Sequence, residues 1–194
     1  MSGRGDAQIA WDTPRLIGPE TPGGFGAYWV RGGALPGDGD AAFATMTLPG
    51  LGTAVTLRGG VGNGAGEEPA GFGGIDLRAP IARHGPTQPL DIEWHAGVGV
   101  GVGQYQIASL PMGVSAGRGW SSGSIWFAPY VAVGATAEYR RGEEAPDEEF
   151  VVEPTAEVGL DLAFDPGRRF IVRAATSLAD RQAVSVGLLI SGGN

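Results

Sequence analysis

The sequence predicts an all-β protein, a closed antiparallel up-and-down barrel of about ten strands, with eight strands as an alternative. The first observation is a strict alternation of apolar and polar positions, clearest from Leu90 to Gly103. Successive side chains of a strand point to opposite faces, so this stretch has one apolar face and one narrow polar face. The second is glycine at every second position from Gly97 to Gly103, which would cost about 1 kcal/mol per residue in a helix. The third is that turn residues separate short segments throughout the chain, with no helical periodicity between them.

Ten segments carry this pattern, and Gly, Pro and Asp mark turns such as Pro49-Gly50 and Asp165–Arg168. The predicted strands are Phe25–Gly32, Ala42–Leu48, Thr53–Val61, Gly71–Ile81, the Leu90–Gly103 stretch, a sixth through Ser109–Ala116, Ser124–Tyr139, Val151–Phe164, Arg169–Leu178 and Ala183–Ile190. We therefore place a barrel at residues 24–191. An extended N-terminal arm precedes it at residues 1–23, and a short tail follows at residues 192–194.

Composition excludes several classes of protein. The chain has 194 residues, which is most simply one domain, and a net charge of −8. All 13 basic residues are arginine, and no basic patch is present, so we expect no nucleic-acid partner. No cysteine is available for disulfides or thiol chemistry, and no apolar run approaches the roughly 18 residues of a membrane helix. Residues 2–19 contain no signal-peptide core, so if the protein is exported we expect this chain to be a mature or trimmed form.

The two faces of the predicted strands differ in chemistry. On the polar face we expect an ion-pair network of Arg31, Arg58, Asp76, Arg78, Asp91, Glu93, His95, Glu138, Glu157, Asp161 and Arg173. On the opposite face the pattern places Ile92, Trp94, Val98, Val100, Phe127, Val131, Val133, Val158, Leu160 and Leu162. A soluble barrel would turn the apolar face inward, whereas a membrane barrel turns it toward lipid.

The sizes of the side chains favour the membrane barrel. The polar face is crowded with Gly, Ala and Ser, as expected where side chains converge inside a narrow lumen. Apolar rows end in aromatics such as Phe127, Tyr139, Phe164 and Phe170, which is typical of the aromatic girdles at membrane interfaces. Strands of about ten residues are long enough to cross a bilayer when they are tilted. We therefore expect membrane lipid to be the partner of the apolar face.

Three segments carry a resemblance to a known class of protein. They are Leu90-Asp-Ile-Glu-Trp-His-Ala-Gly-Val-Gly, Phe127-Ala-Pro-Tyr-Val-Ala-Val and Val158-Gly-Leu-Asp-Leu-Ala-Phe. With these segments the chain, from about Phe25 to Ile190, resembles the small transmembrane β-barrels of bacterial outer membranes. The resemblance implies a porin-like barrel located in the outer membrane of a Gram-negative bacterium. Barrels of this class often end on an aromatic residue, whereas this chain ends Ile190-Ser-Gly-Gly-Asn194.

The lumen charges lead to two alternatives. Because so many charges cannot be buried unpaired in a narrow barrel, we expect Arg58 or Arg78 to pair with an acid of the fourth or fifth strand. We also expect Arg173 to pair with Asp161 or Glu157, since a short turn joins their strands. Such pairs would plug and rigidify the barrel. The alternative is a thin, charge-lined pore for small solutes or ions.

Candidate chemistry is sparse. His84 lies in a connection, where a solvated imidazole is the ordinary expectation. His95 lies on the polar face near Glu93, but no serine is placed to act as its nucleophile. We therefore expect no enzymatic activity, no cofactor and no metal centre. The acidic Glu143–Glu149 loop could attract divalent cations, although a solvated loop is the simpler interpretation.

Two functional hypotheses follow. The first is an outer-membrane barrel with a polar, ion-paired lumen and a structural or loop-presenting role, or a narrow pore for small solutes. The alternative is a soluble β-barrel that binds an apolar small molecule in its core. The positions of Ile92, Val98, Val133 and Leu160 distinguish them, because these side chains line a cavity only in the soluble barrel.

The strand order also predicts an orientation. If the arm lies on the periplasmic side, the loops Gly33–Asp40, Asn63–Ala70 and Arg140–Glu149 emerge outside, and the turns Pro49–Leu51 and Asp165–Arg168 face the periplasm.

Overall fold

A computed structural model describes residues 11–32, 39–50, 52–63, 69–103, 105–142, 145, 149–178 and 182–192. Its strands are β1 (Gly24–Gly32), β2 (Asp40–Pro49), β3 (Ala54–Asn63), β4 (Pro69–Ala82), β5 (Asp91–Val102), β6 (Gln106–Gly117), β7 (Trp120–Ser122), β8 (Ile125–Arg141), β9 (Phe150–Ala163), β10 (Phe170–Leu178) and β11 (Ala183–Ser191). Among these residues, no helix is long and apolar enough to span a bilayer.

Ten of the strands form a closed ring. Each strand pairs with the next along the chain, β6 pairs with β8, and β1 pairs with β11 to close the barrel. All of these pairings are antiparallel, and the seam runs from Gly24 opposite Ser191 to Gly32 opposite Ala183. The predicted all-β, closed, ten-stranded antiparallel barrel is thus confirmed. The short β7 was not predicted; it pairs with β8 beside the connection from β6.

The connections divide between the two ends of the barrel. We call the end where β1 begins and β11 ends the terminal end, and the other end the loop end. Because neighbours are antiparallel, the connections after β2, β4, β6 and β9 lie at the terminal end, and those after β1, β3, β5, β8 and β10 at the loop end. The three predicted loops therefore follow β1, β3 and β8 at the loop end, and the two predicted turns follow β2 and β9 at the terminal end, as expected. The connection after β9 is held by Asp165, which accepts hydrogen bonds from the backbone N–H groups of Arg169 (2.9 Å) and Phe170 (3.4 Å).

The outer face of the barrel is apolar. Large hydrophobic side chains of every long strand are exposed there, including Ile75, Val98, Met112, Val133 and Val186. The inner face carries the buried charges and hydroxyls, together with buried apolar side chains such as Tyr28, Phe43 and Phe72. This arrangement is the reverse of a soluble ligand-binding barrel, and it corrects the alternative hypothesis of an apolar ligand cavity.

The described part of the N-terminal arm lies inside the barrel. Residues 11–19 are all buried, although none of them belongs to a strand. The sequence prediction of an extended arm did not anticipate this position. The lumen core therefore consists of the arm together with the inward side chains of the wall.

Candidate functional site

The candidate site is the lumen of the barrel, which holds the described part of the arm. Thr21 lies near the terminal end, where its hydroxyl donates to Asp161 Oδ2 (3.3 Å). Trp11 lies toward the loop end, where its indole N–H donates to Ser109 Oγ at the start of β6. Residues 12–20 of the arm lie between these two contacts, and we call this part of the arm inside the lumen the plug.

A glycine slot in the wall receives the Trp11 indole. Gly74 on β4 and Gly97 and Gly99 on β5 face this ring, and a Cβ at position 74 or 99 would overlap it. Trp11 is accordingly 1 % exposed. Two of the alternating glycines of β5, Gly97 and Gly99, therefore have a specific partner in Trp11. The sequence pattern explained them only by a narrow lumen.

Glu157 on β9 holds the middle of the arm. Its carboxylate accepts hydrogen bonds from the backbone N–H groups of Arg15 (2.6 Å) and Leu16 (2.9 Å) and from the Tyr130 hydroxyl (2.8 Å). These donors would otherwise be buried without partners, since Arg15 and Leu16 belong to no strand. The Glu157 carboxylate thus accepts hydrogen bonds from backbone N–H groups of the arm that a neighbouring strand would accept in a sheet.

Two wall arginines bind the carbonyl groups of the arm. Arg58 donates to the Pro14 carbonyl (2.5 Å), and its guanidinium lies over the Phe43 ring, 3.8 Å from the centroid. Arg78 donates to the carbonyls of Gly18 (3.0 Å) and Thr21 (2.6 Å). The planar guanidinium offers several donors at once, which suits it to carbonyls that have no strand partner.

Arg173 joins the wall to the arm on the opposite side of the lumen. It pairs with Asp161 through two hydrogen bonds of 2.6 Å and donates to the Leu16 carbonyl (2.8 Å) and the Thr21 hydroxyl. Asp161 and Arg173 are register partners on β9 and β10. The expected pairing across this short turn is present, and the same arginine also fixes the arm.

The structure also places the other sequence-predicted lumen residues. Buried on the inner face are Arg58, Asp76, Arg78, Asp91, Glu93, His95, Glu138, Glu157, Asp161 and Arg173. The expected pair on β4 and β5 is a long contact of 3.8 Å between Arg78 and Glu93. His95 contacts the Arg15 side chain, and Glu138 pairs with Arg140 (2.7 Å), which also reaches Glu153 (3.0 Å) at the loop end.

Arg31 is not part of the lumen network, and its predicted position is wrong. It shares the outer face of β1 with Trp29, while Tyr28 and Val30 point inward. It lies one residue from the end of β1 and opposite Asp40 in the register. The two faces of β1 both carry aromatic side chains, so the alternation there does not reveal which face is inner.

The predicted apolar positions lie on the outer face. Val98, Val131 and Val133 are more than half exposed, and Ile92, Phe127, Leu160 and Leu162 are half-buried on the same face. Trp94, Val100 and Val158 are exposed as well. Aromatic side chains cluster on the outer face toward the terminal end: Phe25, Trp94, Trp120, Phe127, Phe164 and Phe170. Tyr139 and Phe150 are register partners at the loop end.

The arm was missed because its sequence shows no alternation. A signal was present in the wall, where Gly74, Gly97 and Gly99 leave a continuous strip without side chains. Of the acidic Glu143–Glu149 loop, the residues Glu143, Glu144, Asp147 and Glu148 lie outside the described residues.

Comparisons with known proteins find likeness only in structure. No protein-family model matches the chain, and no curated protein matches it significantly. It is similar to a bacterial polysaccharide outer-membrane secretin, with 9 % identity, a TM-score of 0.49 and coverage of 79 % of this chain and 57 % of the secretin. The β-domain of the Bordetella autotransporter BrkA is 14 % identical over 88 % of this chain and all of that chain, with a TM-score of 0.44. The KdgM porin is 10 % identical over 86 % and 98 %, with a TM-score of 0.38.

At these identities and TM-scores we draw no functional conclusion from the neighbours. The chain spans little more than half the length of the secretin. What the lumen can do therefore has to be inferred from its own residues.

Proposed function

We propose that this protein is an outer-membrane β-barrel closed by its own N-terminal arm, with a structural or loop-presenting role. The observation that carries the proposal is the combination of an apolar outer face with a lumen filled by the arm. An exposed apolar belt of this extent would associate or aggregate in water, but it matches the hydrocarbon core of a bilayer. A closed barrel also satisfies its backbone hydrogen bonds, as a membrane-spanning sheet must.

The height of the apolar belt supports a bilayer as its partner. Phe127 and Tyr139 lie on the outer face of β8 and are twelve residue steps apart. That is about 40 Å along a strand, or about 30 Å along the barrel axis at a tilt of roughly 40°. The hydrocarbon core of a bilayer is about 30 Å thick. The described outward charges on the strands, Arg31, Asp40 and Arg141, all lie at the loop ends of their strands.

The hydrogen bonds between the arm and the barrel wall support a closed lumen rather than a conducting pore. Arg58, Arg78 and Arg173 each donate to arm carbonyls, and Glu157 accepts from arm N–H groups, so the plug is bonded to several sides of the wall. A solute would have to displace this hydrogen-bonded backbone in order to pass. His95, the histidine of the lumen wall, contacts the Arg15 side chain of the arm and is part of the same packing.

A second candidate, a narrow gated pore, is favoured by one observation. A cavity of about 380 Å³ opens at the terminal end beside the arm and is lined by Glu20, Arg78, Arg83 and Glu93, among others. It forms a polar vestibule that leads to the plug. If the arm left the lumen, this vestibule would continue into the barrel.

Selective quenching by brominated lipid tests the membrane location. Trp29, Trp94 and Trp120 expose 42 %, 38 % and 40 % on the outer face, whereas Trp11 and Trp126 expose 1 % and 3 % inside the lumen. In vesicles, a variant that retains only Trp94 should be quenched strongly, and the matched variant that retains only Trp126 should be nearly unaffected. A chain that stays folded and monomeric without detergent would contradict the proposal.

Recording across a planar bilayer tests closure. The wild-type chain should insert and remain silent. A steady conductance from every inserted molecule would instead favour the pore.

A further inference from the structure

Three potential metal ligands meet where the arm enters the barrel. They are Glu20 of the arm, His84 of the connection after β4, and Asp91, the first residue of β5. One ligand atom from each lies within 4.8 Å of the other two. Two carboxylates and one imidazole from three separate segments converge here.

The geometry needs little adjustment to hold an ion. His84 Nδ1 is 2.6 Å from Asp91 Oδ2 and 3.9 Å from Glu20 Oε1. Ligand atoms bound to one tetrahedral ion at about 2.0–2.2 Å lie roughly 3.3–3.6 Å apart, so each of these two distances would have to change by no more than about 1 Å. The ion would take the place of the direct hydrogen bond between His84 Nδ1 and Asp91 Oδ2.

The ligands are oriented by further hydrogen bonds. Glu20 Oε1 accepts from the Gly119 N–H (2.8 Å), and Asp91 Oδ1 accepts from the His84 N–H (3.0 Å). Such contacts fix ligand positions in metal sites. The Asp91 side chain is 2 % exposed, whereas that of His84 is 43 % exposed, so the cluster is anchored on one side and open to solvent on the other.

The local charge favours a divalent cation. With a neutral imidazole the cluster carries two negative charges. Arg83 is the nearby opposing charge, 3.9 Å from Asp91 and closer to Glu93 at 3.3 Å, and its side chain is 57 % exposed. It can remain with Glu93 or turn into solvent. The vestibule cavity, which Glu20 also lines, gives the ion a path from solution.

We propose that Glu20, His84 and Asp91 bind a divalent transition-metal ion such as Zn²⁺, and that this ion fastens the arm to the barrel rim. Imidazole with carboxylate ligands suits such ions better than Mg²⁺ or Ca²⁺, which prefer all-oxygen sites. Because Glu20 is the only one of the three on the arm, an ion bound here joins the plug to the wall. The site depends on the position of the arm and not on the membrane that surrounds the barrel.

Calorimetry with ZnCl₂ tests the binding site on the full-length folded chain in detergent. One Zn²⁺ should bind per chain, and Glu20→Gln, which keeps the shape of the side chain, should weaken binding at least tenfold. His84→Ala should do the same. Glu153→Gln removes one acid at the loop end and is the matched control, with unchanged binding. No binding, equal binding by Glu20→Gln, or equal affinity for Ca²⁺ would overturn the site.

Trypsin tests the fastening. Cleavage after Arg15 requires the arm to leave the lumen, because Arg15 is buried there. Saturating Zn²⁺ should slow this cleavage at least fivefold in the wild type and leave it unchanged in Glu20→Gln, with the Arg15 peptide followed by mass spectrometry. Zn²⁺ binding with no effect on cleavage in the wild type would refute the fastening. Because both assays are made in micelles, their failure would leave the membrane location to the quenching experiment.

Discussion

Trp11 of the arm occupies the space that any side chain at Gly99 of β5 would fill. This relationship links the least patterned part of the sequence to its most regularly alternating stretch. It also means that the glycines of β5 keep the lumen open to the arm.

A side chain at position 99 should displace the Trp11 indole from the glycine slot. We expect Gly99→Val to destabilise the barrel by about 1–3 kcal/mol through overpacking and to expose Trp11 to solvent. Urea unfolding and iodide quenching of Trp11 fluorescence measure these effects. Gly71→Ala is the control, because a Cβ there meets open space. If Trp11→Ala fails to relieve the cost of Gly99→Val, the slot is not the reason for the glycine.

Removing Arg173 should strand Asp161. Their paired side chains are 4 % and 1 % exposed, and breaking a buried ion pair costs about 3–5 kcal/mol. Arg173→Met should therefore lower the free energy of unfolding strongly, and Asp161→Asn in the same chain should recover part of the loss. The exposed Arg169→Ala should change little. Additive losses from the two substitutions would show that the residues are not coupled.

Weakening the carbonyl contacts of the arm should create a conductance. Arg78 holds Gly18 and Thr21 at the terminal end of the plug. In planar bilayers we expect Arg78→Ala to show transient openings that the wild type lacks. Arg118→Ala, which removes a rim arginine, is the comparison. A silent bilayer with unchanged stability for Arg78→Ala would mean that Arg78 does not hold the plug.

Arginine on the outer face should be costly. Val133→Arg and Leu160→Arg should each destabilise the barrel in lipid by about 2–4 kcal/mol if they lie near the bilayer midplane. Gly85→Arg, placed in open space in a connection, serves as the control. Unfolding in lipid vesicles gives the free energies. Equal tolerance at positions 133 and 85 would contradict a lipid-facing assignment.

Cysteine labelling can determine the orientation, because the chain has no cysteine of its own. With the terminal end in the periplasm, Glu149→Cys should react with an impermeant maleimide on intact cells. Pro166→Cys, in the connection after β9, should react only after permeabilisation. Labelling of Pro166→Cys on intact cells, with Glu149→Cys reacting only after permeabilisation, would show the opposite orientation.

The alternation of apolar and polar residues predicts the strands of the barrel wall well, because it is visible in the sequence wherever one face of a strand is apolar and the other is polar. The β5 stretch and β9 are examples, where Asp91, Glu93, Glu157 and Asp161 all point inward. It fails for Arg31, since β1 carries aromatics on both faces. It also fails for the arm, whose backbone is satisfied by side chains such as Glu157 from distant strands. Contacts over more than 140 residues leave no periodic trace in the sequence.

The position of the arm constrains the order in which the molecule assembles. Once β1 has paired with β11, the arm cannot enter the closed barrel through its wall. The arm must therefore lie inside the curved sheet before this pairing forms, or it must enter through an open end of the barrel afterwards. Since the arm continues directly into β1 at Gly24, whose partner is Ser191, zipping of this seam also fixes where the arm enters. The Arg173–Leu16 contact spans 157 residues, and such non-local closure is slow. Placement of the arm and closure of the barrel are therefore linked steps of assembly, because the arm and β1 are one continuous segment.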